Sequence, residues 1–208
     1  AAFAAAAGLW AGGSAPAGAD EAPEKIVMGY AVSLSGPYAP GAGTTTIGNY
    51  KLWLHDVNKD GGIYLKKYDK KVPVEFIEYD DQSQLEESVK AYERLILDDK
   101  VDFLLPPWGT ATHMAVGPLF EKYKYPMIAE TVSADKLNEL AEKWKYAYWM
   151  LPPPQRLVGS IVDAMDGLRE EGKLGNKVAI AYIADQLGVE MNNAGVKILE
   201  ERGYDIVY

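Results

Sequence analysis

Three stretches of the sequence combine glycines, short hydroxyls and aromatic rings, the residue types that can hold a small anion without an arginine. They read Ser35-Gly36-Pro37-Tyr38-Ala39-Pro40-Gly41-Ala42-Gly43-Thr44, Pro106-Pro107-Trp108-Gly109-Thr110-Ala111-Thr112 and Glu130-Thr131-Val132-Ser133. Glycine lets the backbone come close to a ligand. A helix start leaves unpaired N–H groups that attract a carboxylate or phosphate. Thr110, Thr131 and Ser133 would add hydroxyls, and Trp108 an aromatic plate. Each stretch also has a plainer reading: Thr112 and Ser133 are ordinary N-caps, and Gly41 and Gly43 turn the chain. The acidic turn Tyr79-Asp80-Asp81-Gln82-Ser83 reads as the start of the helix that follows, where acids suit the helix dipole. Lys66-Lys67 and Lys70-Lys71 flank a solvated hairpin or loop edge. His55 is a surface histidine, and His113 is the histidine nearest the candidate anion site.

Motifs for catalysis are missing from the 208 residues. There is no G-x-S-x-G elbow and no G-x-x-x-x-G-K-[ST] phosphate loop. A dinucleotide fingerprint starting at Gly41-x-Gly43 would need glycine where Thr46 stands. The chain has no cysteine, which removes disulfides, zinc–thiolate sites, iron–sulfur clusters and thiol nucleophiles. The reading is therefore a non-enzyme with no catalytic residue, no metal and no cofactor.

These junctions need a scaffold, and the hydropathy pattern supplies one. Ile26–Leu34 reads as a buried strand, and a helix from about Thr44 to Asn58 carries Ile47, Leu52, Leu54 and Val57 as its apolar stripe. Val72–Tyr79 alternates as a half-buried strand. Gln84–Asp98 is the clearest helix, with Leu85, Val89, Tyr92 and Ile96 on one face. A strand at Phe103–Leu105, a helix over Thr112–Tyr123 and a strand at Met127–Ala129 follow. Pro118 fits that helix only in its first turn or at a kink. A short helix from Ala134 and a strand near Tyr146–Met150 complete this half. After Leu151-Pro152-Pro153-Pro154 the rhythm restarts: helix Gln155–Glu170, strand Val178–Ile183, helix Gly188–Glu201, strand Asp205–Tyr208. Alternating strands and helices imply βαβ units with parallel sheets. No repeat of fixed short period is present. In such sheets ligands bind at the carboxyl ends of strands, where these junctions lie.

Composition fits: 48% hydrophobic residues suffice for a core, and a net charge of −9 lacks the basic face of a nucleic-acid binder. Residues 1–23 read as the remnant of an export signal or a linker, uncharged through Ala19, with a cut before Asp20. Residues 24–150 form a first lobe. Residues 151–208 cross to a second lobe that stops inside an apolar strand, so the chain is expected to be part of a longer one.

The ordered set Ile26–Pro37 (IVMGYAVSLSGP), Asp56–Ile63 (DVNKDGGI), Tyr79-Asp80-Asp81, Asp102–Thr112 and Tyr125–Ser133 resembles type I periplasmic solute-binding proteins. The branched-chain amino-acid receptors of ABC importers are the nearest branch. The resemblance covers nearly all of 24–208. It implies two Rossmann-like parallel-sheet lobes joined by a hinge that close over a small carboxylate, such as an amino acid, for delivery to ABC permease subunits in the periplasm. It carries no implication of membrane insertion or nucleic-acid binding. By the same resemblance, Thr110, Thr131 and Ser133 hold the carboxylate beside Gly109, and Tyr38 and Trp108 cover the ligand. The second-lobe loop supplies Gln186 and Leu187, with Leu187 where the family often has an aromatic. A ligand-sensing receptor domain of the same fold and a nucleotide-dependent α/β enzyme are the alternatives.

Overall fold

The computed structural model describes residues 21–208, so the segment read as an export-signal remnant lies outside the described residues apart from its last three. The chain begins with strand β1 (Ile26–Val32), then α1 (Ala39–Ala42), a π-helical turn (Gly43–Ile47) and α2 (Gly48–Lys59). An antiparallel hairpin, β2 (Ile63–Leu65) and β3 (Lys70–Val72), leads to β4 (Val74–Asp80), α3 (Leu85–Leu97) and β5 (Phe103–Leu104). Next come α4 (Thr110–Tyr123), β6 (Met127–Ala129), α5 (Leu137–Lys143) and β7 (Ala147–Trp149). Past the proline run lie α6 (Pro154–Glu170), β8 (Lys177–Val178), α7 (Gln186–Glu201) and β9 (Asp205–Ile206).

Parallel pairing dominates, as the βαβ alternation implies. β1 is the centre of the order β4-β1-β5, with Ile26 opposite Val74 and Met28 opposite Phe103. β6 pairs with β7 and β8 with β9, each through a helical crossover. Gly29 lets α3 approach β1 closely, since a Cβ there would lie 2.6 Å from Leu95 Cδ2. Buried Tyr92, Leu95, Val116, Phe120, Met127 and Ala129 join the β1 and β6 sheets into one core. A separate cluster, around Val158, Val162, Ala194 and Leu199, packs α6 on α7. Asp166 accepts from Tyr204 Oη at 3.0 Å and Arg169 Nη2 at 2.8 Å beneath it.

Several local expectations are corrected. The first helix starts earlier, at Ala39, because Pro40 suits a first turn and Gly41 and Gly43 are helical rather than turn residues. Leu52 and Leu85 are exposed, at 59% and 44%; Leu54, Val57, Tyr92 and Leu95 do the packing instead. Pro118 lies in the interior of α4, which begins at Thr110 and not Thr112. Pro73 divides the expected single strand into β3 and β4. The strand expected over Val178–Ile183 is short because β9 is its one neighbour among the described residues: Ile180 N–H reaches Tyr208 O at 2.8 Å, and Ile183 is 70% exposed.

Candidate functional site

A narrow cleft, with about 10 Å³ of room for a water-sized sphere, opens between the start of α4 and the start of α7. Tyr38, Trp108, Gly109, Thr110, Ala111 and Thr112 line one side; Asp185, Gln186 and Leu187 line the other. Six of the residues singled out from the sequence thus come together here: Tyr38, Trp108, Gly109, Thr110, Gln186 and Leu187.

The aromatic wall is braced from below. The Tyr38 and Trp108 rings lie 5.7 Å apart at 47°, and Trp108 Nε1 donates to Thr45 Oγ1 at 2.8 Å. Gly41 makes room for the indole, as a Cβ there would sit 2.5 Å from the ring. Asp80 and Asp81 fix the loop that carries Tyr38 instead of capping α3. Asp80 Oδ1 accepts from the Leu34 and Ser35 amides and its Oδ2 from the Ser35 hydroxyl; Asp81 accepts from Ser33 Oγ at 2.7 Å and Ser88 Oγ at 3.0 Å. Ser83 Oγ then accepts from the Tyr38 amide at 3.0 Å. Burial alone would raise the Asp80 pKa, but the bonds from Ser35, Gln82 and Leu34 outweigh it and hold the carboxyl below its ordinary value.

The start of α4 is the chemically available feature. Gly109 is its N-cap at φ 89°, ψ 151°, a conformation suited to glycine, and among the described residues no side chain caps the helix. The first-turn N–H groups have no acceptor within a helix, and their residues, Thr110, Ala111 and Thr112, line the cleft. By contrast α7 is capped, since Asp185 Oδ1 accepts from Gly188 N–H at 2.7 Å. Gly188 is required there: a Cβ would stand 1.8 Å from Ile183 O.

The hydroxyls expected to grip a carboxylate are engaged in holding the junctions together. Thr110 Oγ1 donates to Ser133 O at 3.2 Å and accepts from Ser133 N–H at 3.3 Å. Ser133, fully buried, donates from Oγ to Pro152 O at 2.7 Å. Thr131 Oγ1 accepts from Gly109 N–H at 3.1 Å. Thr131 and Ser133 therefore stand behind the cleft wall. Neither Thr112 nor Ser133 is an N-cap: Thr112 lies inside α4, and α5 starts beyond Lys136. His113 is buried with Nδ1 2.8 Å from Gly109 O, an arrangement in which Nδ1–H donates. Burial, opposed by that bond, pushes its pKa down to about 4.

Sequence reasoning missed a further polar pair. Tyr50 Oη lies 2.6 Å from Glu130 Oε1 and 3.1 Å from Pro106 O, and burial lifts the Glu130 pKa while the Tyr50 bond pulls it down. Glu130 was visible only as a member of its junction. Its partner is 80 residues away in sequence.

A family model described as periplasmic binding protein matches residues 25–208. Among solved structures, the chain is similar to a Rhodopseudomonas palustris ABC-transporter solute-binding protein in complex with 4-hydroxybenzoate, at 25% identity and a TM-score of 0.65, covering 88% of this chain and 45% of that one. Its fold also matches a leucine-binding protein from Thermotoga maritima, at 15% identity and a TM-score of 0.64, covering 87% and 47%. A putative branched-chain amino acid ABC transporter protein from Silicibacter pomeroyi gives 20% identity and a TM-score of 0.68, covering 88% and 46%. The chain spans a little under half the length of each of these structures. With its parallel βαβ architecture, its cleft at the strand ends and a family match running from Lys25 to Tyr208, the chain belongs to the type I periplasmic binding proteins of ABC transporters.

Proposed function

We propose that the protein captures a small carboxylate-bearing solute in the cleft between α4 and α7, outside the cytoplasm, and hands it to an ABC permease without chemical conversion. Residues 24–150 and 151–208 act as the two units that approach each other over the solute. The uncapped start of α4, opening into a cleft beside two aromatic rings, carries this reading. Unpaired amides at the positive end of a helix dipole favour a carboxylate. Thr110, Thr131 and Ser133 hold those amides in place, while Tyr38, Trp108 and Leu187 enclose the rest of the solute.

Aromatic carboxylates suit this cleft best, because a planar ring can stack against Tyr38 and Trp108. The likeness to the 4-hydroxybenzoate-bound protein supports the same class. A branched-chain amino acid is the second reading, favoured by apolar Leu187 facing the cleft and by the fold shared with the leucine-binding protein. A thermal-shift panel on the intact protein separates them. At a concentration of 100 Kd, binding adds about 2.7 kcal/mol. A rise with hydroxybenzoates alone supports the first class and a rise with leucine and its relatives alone the second. A flat response to both rejects the carboxylate reading.

A further inference from the structure

Gln186, on the α7 wall of the cleft, is held one turn further along its own helix: its Nε2 donates to Glu190 Oε1 at 3.0 Å. The other oxygen of Glu190 reaches out of the helix. Oε2 accepts from the backbone N–H of Asp135 at 2.7 Å, in the segment between β6 and α5. Asp135 Oδ1 in turn accepts from Gln155 Nε2 at 2.6 Å, in the first turn of α6. One carboxylate is thus divided between a cleft-lining side chain and a backbone amide beyond the proline crossing. Charge-assisted bonds of this kind are stronger than neutral ones.

We infer that Glu190 is a positioning residue that clasps the two units together and sets Gln186 against the solute in the same act. Separation of the units takes the Asp135 amide from its acceptor and frees the carboxylate that braces Gln186. Closure and the shape of the cleft wall are therefore coupled through one side chain. The solute half of this inference rests on the capture reading above; the clasp itself does not.

The 208-residue sequence contains no cysteine, so a pair of introduced thiols labels it cleanly. Glu93→Cys on α3 and Glu200→Cys on α7, both exposed, place spin labels on the two units of the intact protein. Distance distributions are recorded without solute. Glu190→Ala is expected to shift the ratio of short to long distances about tenfold toward long, the size of one charge-assisted hydrogen bond. Glu190→Gln, which keeps the volume, is expected to shift it partway. Asp135→Ala retains the N–H that Glu190 accepts but loses the bond from Gln155 across the same boundary, and is expected to shift the ratio clearly less than Glu190→Ala. With 4-hydroxybenzoate as probe in stopped flow, Glu190→Ala should raise the dissociation rate about tenfold and leave the association rate within about twofold, because closure follows encounter. An unchanged distribution in Glu190→Ala, or an equal shift in Asp135→Ala, overturns the clasp. Failure of the parent to bind the probe overturns the preferred solute class, and the distances still decide the clasp.

Discussion

Thr110 divides its hydroxyl between the N–H and C=O of Ser133, so its first task is to tie the Pro106–Thr112 junction to the Glu130–Ser133 junction. A valine there keeps the shape but leaves two buried backbone groups unpaired. Thr110→Val should cost about 1–3 kcal/mol in chemical denaturation, together with weaker solute binding as the amides of α4 lose their support. Lost affinity with unchanged stability would instead point to a direct hydroxyl–solute bond. His113 gives a pH signature. Its pKa is lowered to about 4 in the folded protein, against roughly 6.5 when unfolded. Between those values the unfolded chain takes up a proton that the folded one refuses. Stability from this group is complete above pH ~6.5 and falls as the pH drops toward about 4. The expected loss is about 2 kcal/mol between pH 7.5 and 5. Denaturation curves of the parent and His113→Gln at both pH values isolate it: the variant should lack this part of the slope, and parallel slopes would refute it.

The elements show where sequence reasoning reached and where it stopped. Periodicity gave α3, α6 and α7 to within a few residues, since each carries a continuous buried face. It also placed the cleft, because strand-to-helix junctions in parallel sheets gather on one edge. The start of α4 was misread: Thr112 resembles a cap, but Gly109 occupies that place at a positive φ that no propensity scale registers. The partners of the site hydroxyls were equally hidden, because Ser133 lies 23 residues from Thr110 and the Tyr50–Glu130 contact spans 80. Gly109 supplies the element-level test. A methyl group there meets no atom within 4 Å, so Gly109→Ala acts through backbone strain alone. A cost of about 1–3 kcal/mol is expected, and the helix start should turn away from the cleft. A denaturation midpoint equal to that of the parent would show that the conformation is not strained.

At the scale of the whole chain, separate cores lie on either side of residues 151–153 and a cleft lies between α4 and α7, the arrangement on which the proposed capture by closing rests. A solute that touches both sides binds the closed form better and so raises its population. This mechanism needs no reactive side chain. What it requires is a charge-bearing group on the solute that the uncapped helix start can recognise. Isothermal titration of the intact protein with 4-hydroxybenzoate and with 4-hydroxybenzamide, and likewise with leucine and leucinamide, asks for that group directly. Within the pair that binds, the carboxylate should be held about 10- to 100-fold more tightly than its amide, the range expected for hydrogen bonds to a charged group. Equal affinity for acid and amide, or no binding in either pair, would contradict carboxylate capture at the start of α4.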